Sequence, residues 1–571
     1  MILLGLAAAM TLNSCDDYFE PDVKGYAPED VYFDNLNNLR YTLNTVYSMM
    51  SKLPYQRSEI LFGEAISDNC WNVQDVTAGE IYDILNFTFN TENSYILERY
   101  QVNYEAINYC NQIIRSVPRV EYRPDGSSEK EIREVYGQAK VLRALFYFNL
   151  VKTFGGVSIQ PETQELHSLV VPRSSLDDTY AYIEKDLREA ILILRKQRYI
   201  QTEAGQISAG GALGLLMKVL MYQASPGTKT VGIDKDKKWH EVVEIGRHFI
   251  DGQDISVSDL LKFDTNYTES WEEVQKRLFV ESSVNLSTKI NAQDIVNAHS
   301  LTKFDELFRI SNEFSPESLI ELNHYNYSAI GISEEHGWLL NGYITYDPDS
   351  DVLNISPTAE LDGQFNNDPR RLFTITGRNI NDYYKQETSN PDIAWFSTGN
   401  YLKYCKFYVF PSEGGAKMRN YIIMRYAEAL LIYAEALNEV GMSREATDMA
   451  NRVRNRAADL LSDTNPNKKY QTMSANNFKS LSYAPYDITR NAILKEKRVE
   501  MAGEGDRWFE LCRLGIVAGR MKYLADNPAV EPTGQQRVRG RYFKKGVNEL
   551  FPIPQKEVMI SNGVINQNFG Y

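Results

Sequence analysis

The chain has 571 residues and a net charge of −15, with 43% hydrophobic and 24% charged residues. These are values of a folded chain with a large core, not of a disordered one. The acidic balance argues against nucleic acid as a partner, because binding phosphates needs a basic surface.

The chain opens with MILLGLAAAMTLNSC, an apolar run of about a dozen residues that is too short to span a bilayer. It reads as a signal-peptide core ending at Leu12-Asn13-Ser14-Cys15. That ending resembles a bacterial lipobox, whose Cys is lipidated and becomes the mature N-terminus. Asn13 departs from the usual small residue there. No Lys or Arg precedes the run, so the expected start codon lies upstream. Asp16-Asp17 is similar to the acidic surface-export signal of Bacteroidetes lipoproteins. The other cysteines, at 70, 110, 405 and 512, show no C-x-x-C spacing, so neither a zinc ribbon nor a redox motif is signalled.

Residues 16–27 read as an extended tether. Apolar spacing predicts a helix over Val31–Met50, with Leu36, Leu39, Leu43, Val46 and Tyr47 on one face. Gly63 to Trp71 breaks that period and reads as a polar loop carrying Asp68, Asn69 and Trp71. Helices are predicted over Tyr95–Val117, from Glu129 to a stop at Gly155-Gly156, over Leu176–Leu194 from a Ser174/Ser175 start, over Ser208–Tyr222 and over Trp239–Ile250.

Between 255 and 415 the helical period fades. Asn, Asp, Gly, Ser and Tyr dominate, with Arg277–Glu281 and Tyr404–Phe410 reading as brief strands. Long ordered loops are where function concentrates. Trp338, Asn341, Tyr343 and Tyr346 cluster in one of them, and Tyr383, Tyr384 and Trp395 in another. Beyond 415, Asn420–Ala458 reads as a helical hairpin. Its first stripe includes Ile422, Ile423, Tyr426, Ala427, Leu430 and Ala434; the turn is at Gly441, with Ser443 as the next N-cap. Asp487–Ala502 and Arg507–Leu514 are further helices, divided by Gly503-Glu504-Gly505.

About four such hairpins, each unable to bury both faces alone, predict a mainly α fold of tetratricopeptide-like pairs carrying an irregular, loop-rich lobe with short strands. The expected divisions are a signal peptide (1–14), a tether (15–27), an N-terminal helical region (28–254), the irregular lobe (255–415) and a C-terminal helical region (416–571).

The residues also bear on chemistry. A sugar presents C–H patches on its ring face and hydroxyls on its edge, so a sugar site needs flat aromatic rings beside planar polar groups. Trp71 with Asp68 and Asn69, and Trp338 with Asn341, Tyr343 and Tyr346, supply that mixture; Tyr383 and Trp395 extend it. Trp508, Trp239 and Trp271 read as packing residues. No H-E-x-x-H, G-x-S-x-G or phosphate-cradling Gly loop is present. Hydrolysis by a carboxylate pair stays open, because sequence cannot choose the pair. The six His are scattered and read as satisfied surface residues, and Asp347–Asp351 reads as a turn, lacking an EF-hand's spacing and Gly. No catalytic residue, metal or cofactor is expected.

An ordered set of stretches resembles the SusD/RagB-type outer-membrane lipoproteins of Bacteroidetes. The set comprises Cys15 with its acidic followers, Ala139–Ala144 (AKVLRA), Ser356–Leu361 (SPTAEL), Asp368-Pro369-Arg370, Tyr426–Leu431 (YAEALL) and Asn451–Ala457 (NRVRNRA). It continues with Lys497–Glu500 (KRVE), Glu504–Trp508 (EGDRW), Phe551–Pro554 (FPIP) and Asn566–Asn568 (NQN). Lys497 stands where the family often has Glu. The resemblance implies non-catalytic capture of a nutrient, usually a glycan, at the outer-membrane surface. It also implies a SusC-like TonB-dependent transporter as partner; the RagB branch handles peptides instead.

Overall fold

The computed structural model describes residues 33, 35–72, 79–117, 127–160, 162, 170–194, 205–260, 289–290, 298–323, 355–376, 402–407, 420–462, 478–530 and 536–571. Among the described residues, the α-helices before residue 250 are α1 (Leu36–Ser51), α2 (Leu53–Ile60), α3 (Glu80–Asn86), α4 (Ser94–Ser116), α5 (Ser127–Phe154), α6 (Leu176–Ile193), α7 (Ala209–Ala224) and α8 (Lys235–Phe249). Their starts are capped as local chemistry demands. Ser175 Oγ accepts the Asp178 amide at the head of α6, Ser208 Oγ the Gly211 amide at α7, and Asn93 Oδ1 the Tyr95 and Ile96 amides at α4. Helix α8 begins four residues before the expected Trp239, because Asp234 accepts the Lys237 amide and fixes the start there.

The longer helices pack in a continuous series. Helix α1 lies on α4 and α5, α4 on α5, α5 on α6, α6 on α7, and α7 on α8. The series then passes to the C-terminal helices α9 (Tyr426–Glu439), α10 (Ser443–Ser462) and α11 (Tyr486–Glu500), with α8 and α7 both against α9. Stacking of this kind buries one continuous core across units that share no long-range sheet. Helix α7 is buried on every side, which its AGGALGLLMKVL stretch permits, having one charge in twelve residues. Two short helices, α12 (Arg507–Arg513) and α13 (Val517–Asp526), follow α11. Mainly helical architecture is thus as the sequence predicts.

The strands are few and short, and all described pairs are antiparallel. They are β1 (Cys70–Asn72) with β5 (Ile355–Pro357), β2 (Ile255–Ser256) with β3 (Lys289–Ile290), β4 (Ser318–Leu322) with β8 (Tyr421–Arg425), β6 (Ile375–Thr376) with β7 (Lys403–Tyr404), and β9 (Ala529–Val530) with β10 (Gln536–Arg537). The β1–β5 and β4–β8 ladders cross the boundaries expected at 254/255 and 415/416, stitching the loop-rich lobe to both helical regions.

Further sequence expectations change, and the strand read over Tyr404–Phe410 is Lys403–Tyr404 instead, with residues 405–407 outside it. Ile422 and Ile423 are not the first turn of a helix: Tyr421–Arg425 pairs with Ser318–Leu322, and the helix begins only at Tyr426, whose amide donates to Glu317 O at 2.7 Å. The β-branched pair suits a strand, and β4 supplies the partner that no local rule could reveal. Gly441 does turn the chain, with φ +85°, but Ser443 does not cap; its hydroxyl donates to Asn438 Oδ1 at 2.7 Å. His248 and His299 are buried rather than on the surface, each bonded to a backbone carbonyl, of Gln253 and Pro316 respectively. Trp508 and Trp239 are core residues, as read. The expected strand over Arg277–Glu281, Trp271 and the Asp347–Asp351 turn lie outside the described residues, as do Cys15 and the leader.

Candidate ligand platform

Strand β1 stands at the centre of a set of chain ends. Cys70, Trp71 and Asn72 pair with Pro357, Ser356 and Ile355. The Thr358 amide donates to Asn69 O at 2.8 Å and extends the pairing. Ser356 Oγ then donates to Leu402 O at 2.5 Å, which ties β5 to the head of β7. Strand β7 in turn pairs with β6 through Ile375 with Tyr404 and Thr376 with Lys403. Opposed residues in an antiparallel pair lie about 5 Å apart. So the chain leaves Asn72, arrives at Ile355, leaves Thr376 and returns at Leu402 within one small area.

Those ends belong to the stretches that carry the expected ligand residues. Trp338, Asn341, Tyr343 and Tyr346 fall in 324–354, and Tyr383, Tyr384 and Trp395 in 377–401; all lie outside the described residues. The second stretch leaves and returns beside this strand, and the first ends there, at Ile355 opposite Asn72.

The three described candidates are placed differently from expectation. Asp68 is fully buried and enclosed by arginines. Arg507 grips it at 2.7 and 3.0 Å with Nε and Nη2, Arg520 Nε donates at 2.8 Å, and Arg498 lies at 3.4 Å. Burial alone would raise the Asp68 pKa, but the Arg507, Arg498 and Arg520 charges outweigh it and hold the carboxyl well below the usual range. Glu360 completes the cluster, 3.1 Å from Arg498 and 2.6 Å from Arg520. Asn69 is also buried, donating to Glu64 Oε1 at 3.0 Å and accepting from Arg498 Nε at 2.9 Å. Trp71 is 8% exposed, and its indole N–H donates to Pro357 O at 3.2 Å. Asp68 and Asn69 therefore brace the strand rather than present a polar edge. A buried carboxylate must be paired to be tolerated, and here three guanidinium groups do it.

Below β1 the chain makes one π-helical turn, Leu61–Ala65. Gly63 lies so close to the loop after α11 that a Cβ there would meet Gly505 O at 1.7 Å. The turn aims Glu64 into the core. Its Oε1 accepts from Asn69 Nδ2 at 3.0 Å, Tyr404 Oη at 3.0 Å and the Gly503 amide at 3.1 Å. Burial pushes its pKa up, and these neutral donors only partly offset that. Arg539 clamps the same segment from outside, donating to Ser67 O at 2.7 Å and Ala65 O at 3.0 Å.

A second buried cluster supports this layer. Glu500 receives Arg425 at 2.5 Å, Arg370 at 2.8 Å and Arg456, and Arg425 also reaches Glu317 and Glu504. Sequence reasoning missed Arg498, Arg507, Arg520, Arg539 and Glu360 as the platform's braces. The KRVE and EGDRW stretches were a signal for Arg498 and Arg507; nothing marked Arg520 or Arg539. Elsewhere, a mostly apolar cavity of about 110 Å³ lies between α6, α7 and α12, lined by Tyr180, Tyr222 and Phe509, and shares no residue with the platform. Among the described residues no group of His, Cys, Asp and Glu is arranged to hold a metal, and no helix is long and apolar enough to cross a membrane.

A family model described as "SusD family" matches residues 312–571, and one described as "Starch-binding associating with outer membrane" matches residues 20–219. The SusD-like protein P2 of Formosa agariphila is 24% identical over 98% of this chain and 98% of its own. A solved SusD homolog from Bacteroides thetaiotaomicron superposes with a TM-score of 0.65 at 20% identity, covering 95% of this chain and 98% of that one. A structure described as a laminarin binding SusD-like protein superposes with a TM-score of 0.63 at 23% identity, over 94% and 100% of the two chains. At these identities the two solved structures establish likeness of fold.

Proposed function

The chain belongs to the SusD/RagB family, and on that premise we propose that it is a cell-surface lipoprotein that binds a glycan without altering it and passes it to a SusC-like TonB-dependent transporter. The observation that carries this reading is the convergence of loop ends around β1. One aromatic-rich stretch ends at this braced platform and a second leaves from it and returns to it, and such stretches suit the flat face and polar edge of a sugar. Trp338, Asn341, Tyr343, Tyr346, Tyr383 and Trp395 are the proposed ligand contacts, with Trp71 at their foot. Asp68 and Asn69 act through the brace.

Two relatives lend support. One solved SusD-like neighbour is described as laminarin binding, and another as a surface glycan-binding protein. Outer-membrane association follows the description of the matching N-terminal family model, and Cys15 is the proposed lipid attachment site. A binding screen against purified polysaccharides and a peptide library, with the ligand recovered and sized afterwards, tests the whole reading. Affinity for a polysaccharide recovered intact supports it. Binding confined to peptides moves the chain to the RagB-like alternative, and shortened polysaccharide makes it a hydrolase. For the anchor, Cys15→Ala in a full-length gene should shift the protein from the membrane fraction to the soluble one.

A further inference from the structure

One stretch of surface carries the wrong sign for so acidic a protein. Residues 541–545 read Arg-Tyr-Phe-Lys-Lys in a chain of net charge −15. Arg541, Lys544 and Lys545 are all exposed and form no ion pair among the described residues, whereas Lys522 on nearby α13 is paired to Asp526 at 2.7 Å. Tyr542, between them, is 51% exposed.

This stretch is a fixed knuckle. Phe543 plugs inward, its ring 5.2 Å from Phe87 and 6.2 Å from Trp508 in edge-on contacts. The Phe543 amide donates to Gly540 O at 3.1 Å, and Asn548 Oδ1 accepts the Lys544 amide at 2.6 Å. Gly540 has φ +74°, and a Cβ there would sit 2.3 Å from Met521 O, so the chain crosses α13 as closely as backbone allows. The carboxylate at the foot of the turn, Glu549, spends Oε1 on the Gly546 amide at 3.0 Å. The knuckle is also next to the platform. Arg539, whose guanidinium clamps Ala65 and Ser67, is two residues before Arg541, a reach of at most about 7 Å.

The geometry points to residues 541–545 as the contact for an anionic glycan, a polysaccharide bearing carboxylate or sulfate groups. Its charged substituents fall on Arg541, Lys544 and Lys545, and a ring face falls on Tyr542. This deepens the glycan-binding reading of the platform and rests on it. A polyanion approaching a chain of charge −15 is repelled by most of the surface, so it needs local unpaired cations. The Arg541 guanidinium fork matches carboxylate and sulfate oxygens, and exposed cations keep much of their hydration when paired, so pairing them costs little. A neutral glycan has no use for three of them.

The test uses the whole mature chain and the triple variant Arg541→Gln, Lys544→Gln, Lys545→Gln, whose side chains are exposed and outside the core. Both are titrated with alginate, pectate, a sulfated galactan and neutral β-glucans at low and high salt, and with anionic phospholipid vesicles. The expected result is tighter binding of wild type to an anionic polymer than to any neutral one. That affinity should drop about tenfold on raising salt and by a similar factor in the triple variant, with the melting temperature unchanged. Equal anionic-polymer affinity in the variant overturns the inference. So does binding to neutral polymers alone, which leaves the glycan reading standing, or binding to vesicles alone. No binding to any polysaccharide sinks the glycan reading itself, and the inference with it.

Discussion

Trp71 stands directly opposite Ser356 in the β1–β5 ladder, and the Ser356 hydroxyl reaches on to the Leu402 carbonyl at 2.5 Å. The ladder and this hydroxyl together join three segments, the first of them nearly three hundred residues from the other two. Ser356→Ala should cost only about 1 kcal/mol of stability, the usual worth of one such bond, yet weaken ligand binding several-fold by loosening the root of residues 377–401. Titration calorimetry beside a melting curve separates the two. An affinity equal to wild type would mean that this tie does not set the loop.

Asp68 makes a prediction in acid. Its folded pKa is depressed, chiefly by Arg507, Arg498 and Arg520 acting against burial. The ion cluster's contribution is then complete above the unfolded value near 4 and is lost as pH falls through the folded value. Asp68→Asn leaves three guanidinium groups short of a counter-charge in a nearly closed site and should cost about 3 kcal/mol at neutral pH. Its stability should fall less steeply than wild type below about pH 4. Denaturant midpoints at pH 3, 4 and 7 measure both effects, and parallel curves for the two proteins would contradict the assignment.

Glu64 predicts the opposite sign. Burial raises its pKa, so the folded chain holds a proton that the unfolded chain releases above about pH 4.5. Stability from this group is complete below that value and declines as pH rises through the folded pKa. Glu64→Gln keeps an acceptor for Asn69, Tyr404 and Gly503 and removes the titration. The variant should lose that decline and match or exceed wild type near pH 8. An unchanged slope in the variant would place the proton elsewhere.

The stacked helices can be tested where they approach most closely. Ala434 is fully buried in α9, and a Cβ on Gly246 of α8 would meet the Tyr433 ring at 2.3 Å. Ala434→Trp and Gly246→Val should each cost at least about 1–3 kcal/mol by overpacking. Chemical denaturation checks this. Any loss of ligand affinity should vanish once folded protein alone is counted, because both sites are scaffold.

The helices were legible because they obey local rules. Ser175 and Ser208 cap where a Ser precedes an apolar period, and Gly441 turns where a helix must reverse. Tyr421–Arg425 was misread because its strand partner lies about a hundred residues upstream, beyond any local pattern. The platform was half legible. The aromatic stretches stood out by composition, but nothing local says that residue 72 meets residue 355 or that Ser356 meets Leu402. Asp68 and Asn69 looked like ligand groups because polar residues beside a Trp in a loop suit a sugar. Their arginine partners sit more than 400 positions away, so burial could not be foreseen.

The most direct test of the central claim is glycan binding by Trp338→Ala, compared with wild type on the polysaccharide that the screen identifies, with the ligand sized after incubation. The account predicts at least a tenfold loss of affinity, as removal of an aromatic stacking partner worth about 1.4 kcal/mol or more would give. It also predicts an unchanged melting temperature and a polysaccharide of undiminished length with wild type. Full affinity in the variant would contradict the placement of the ligand, and shortened polysaccharide would contradict binding without turnover.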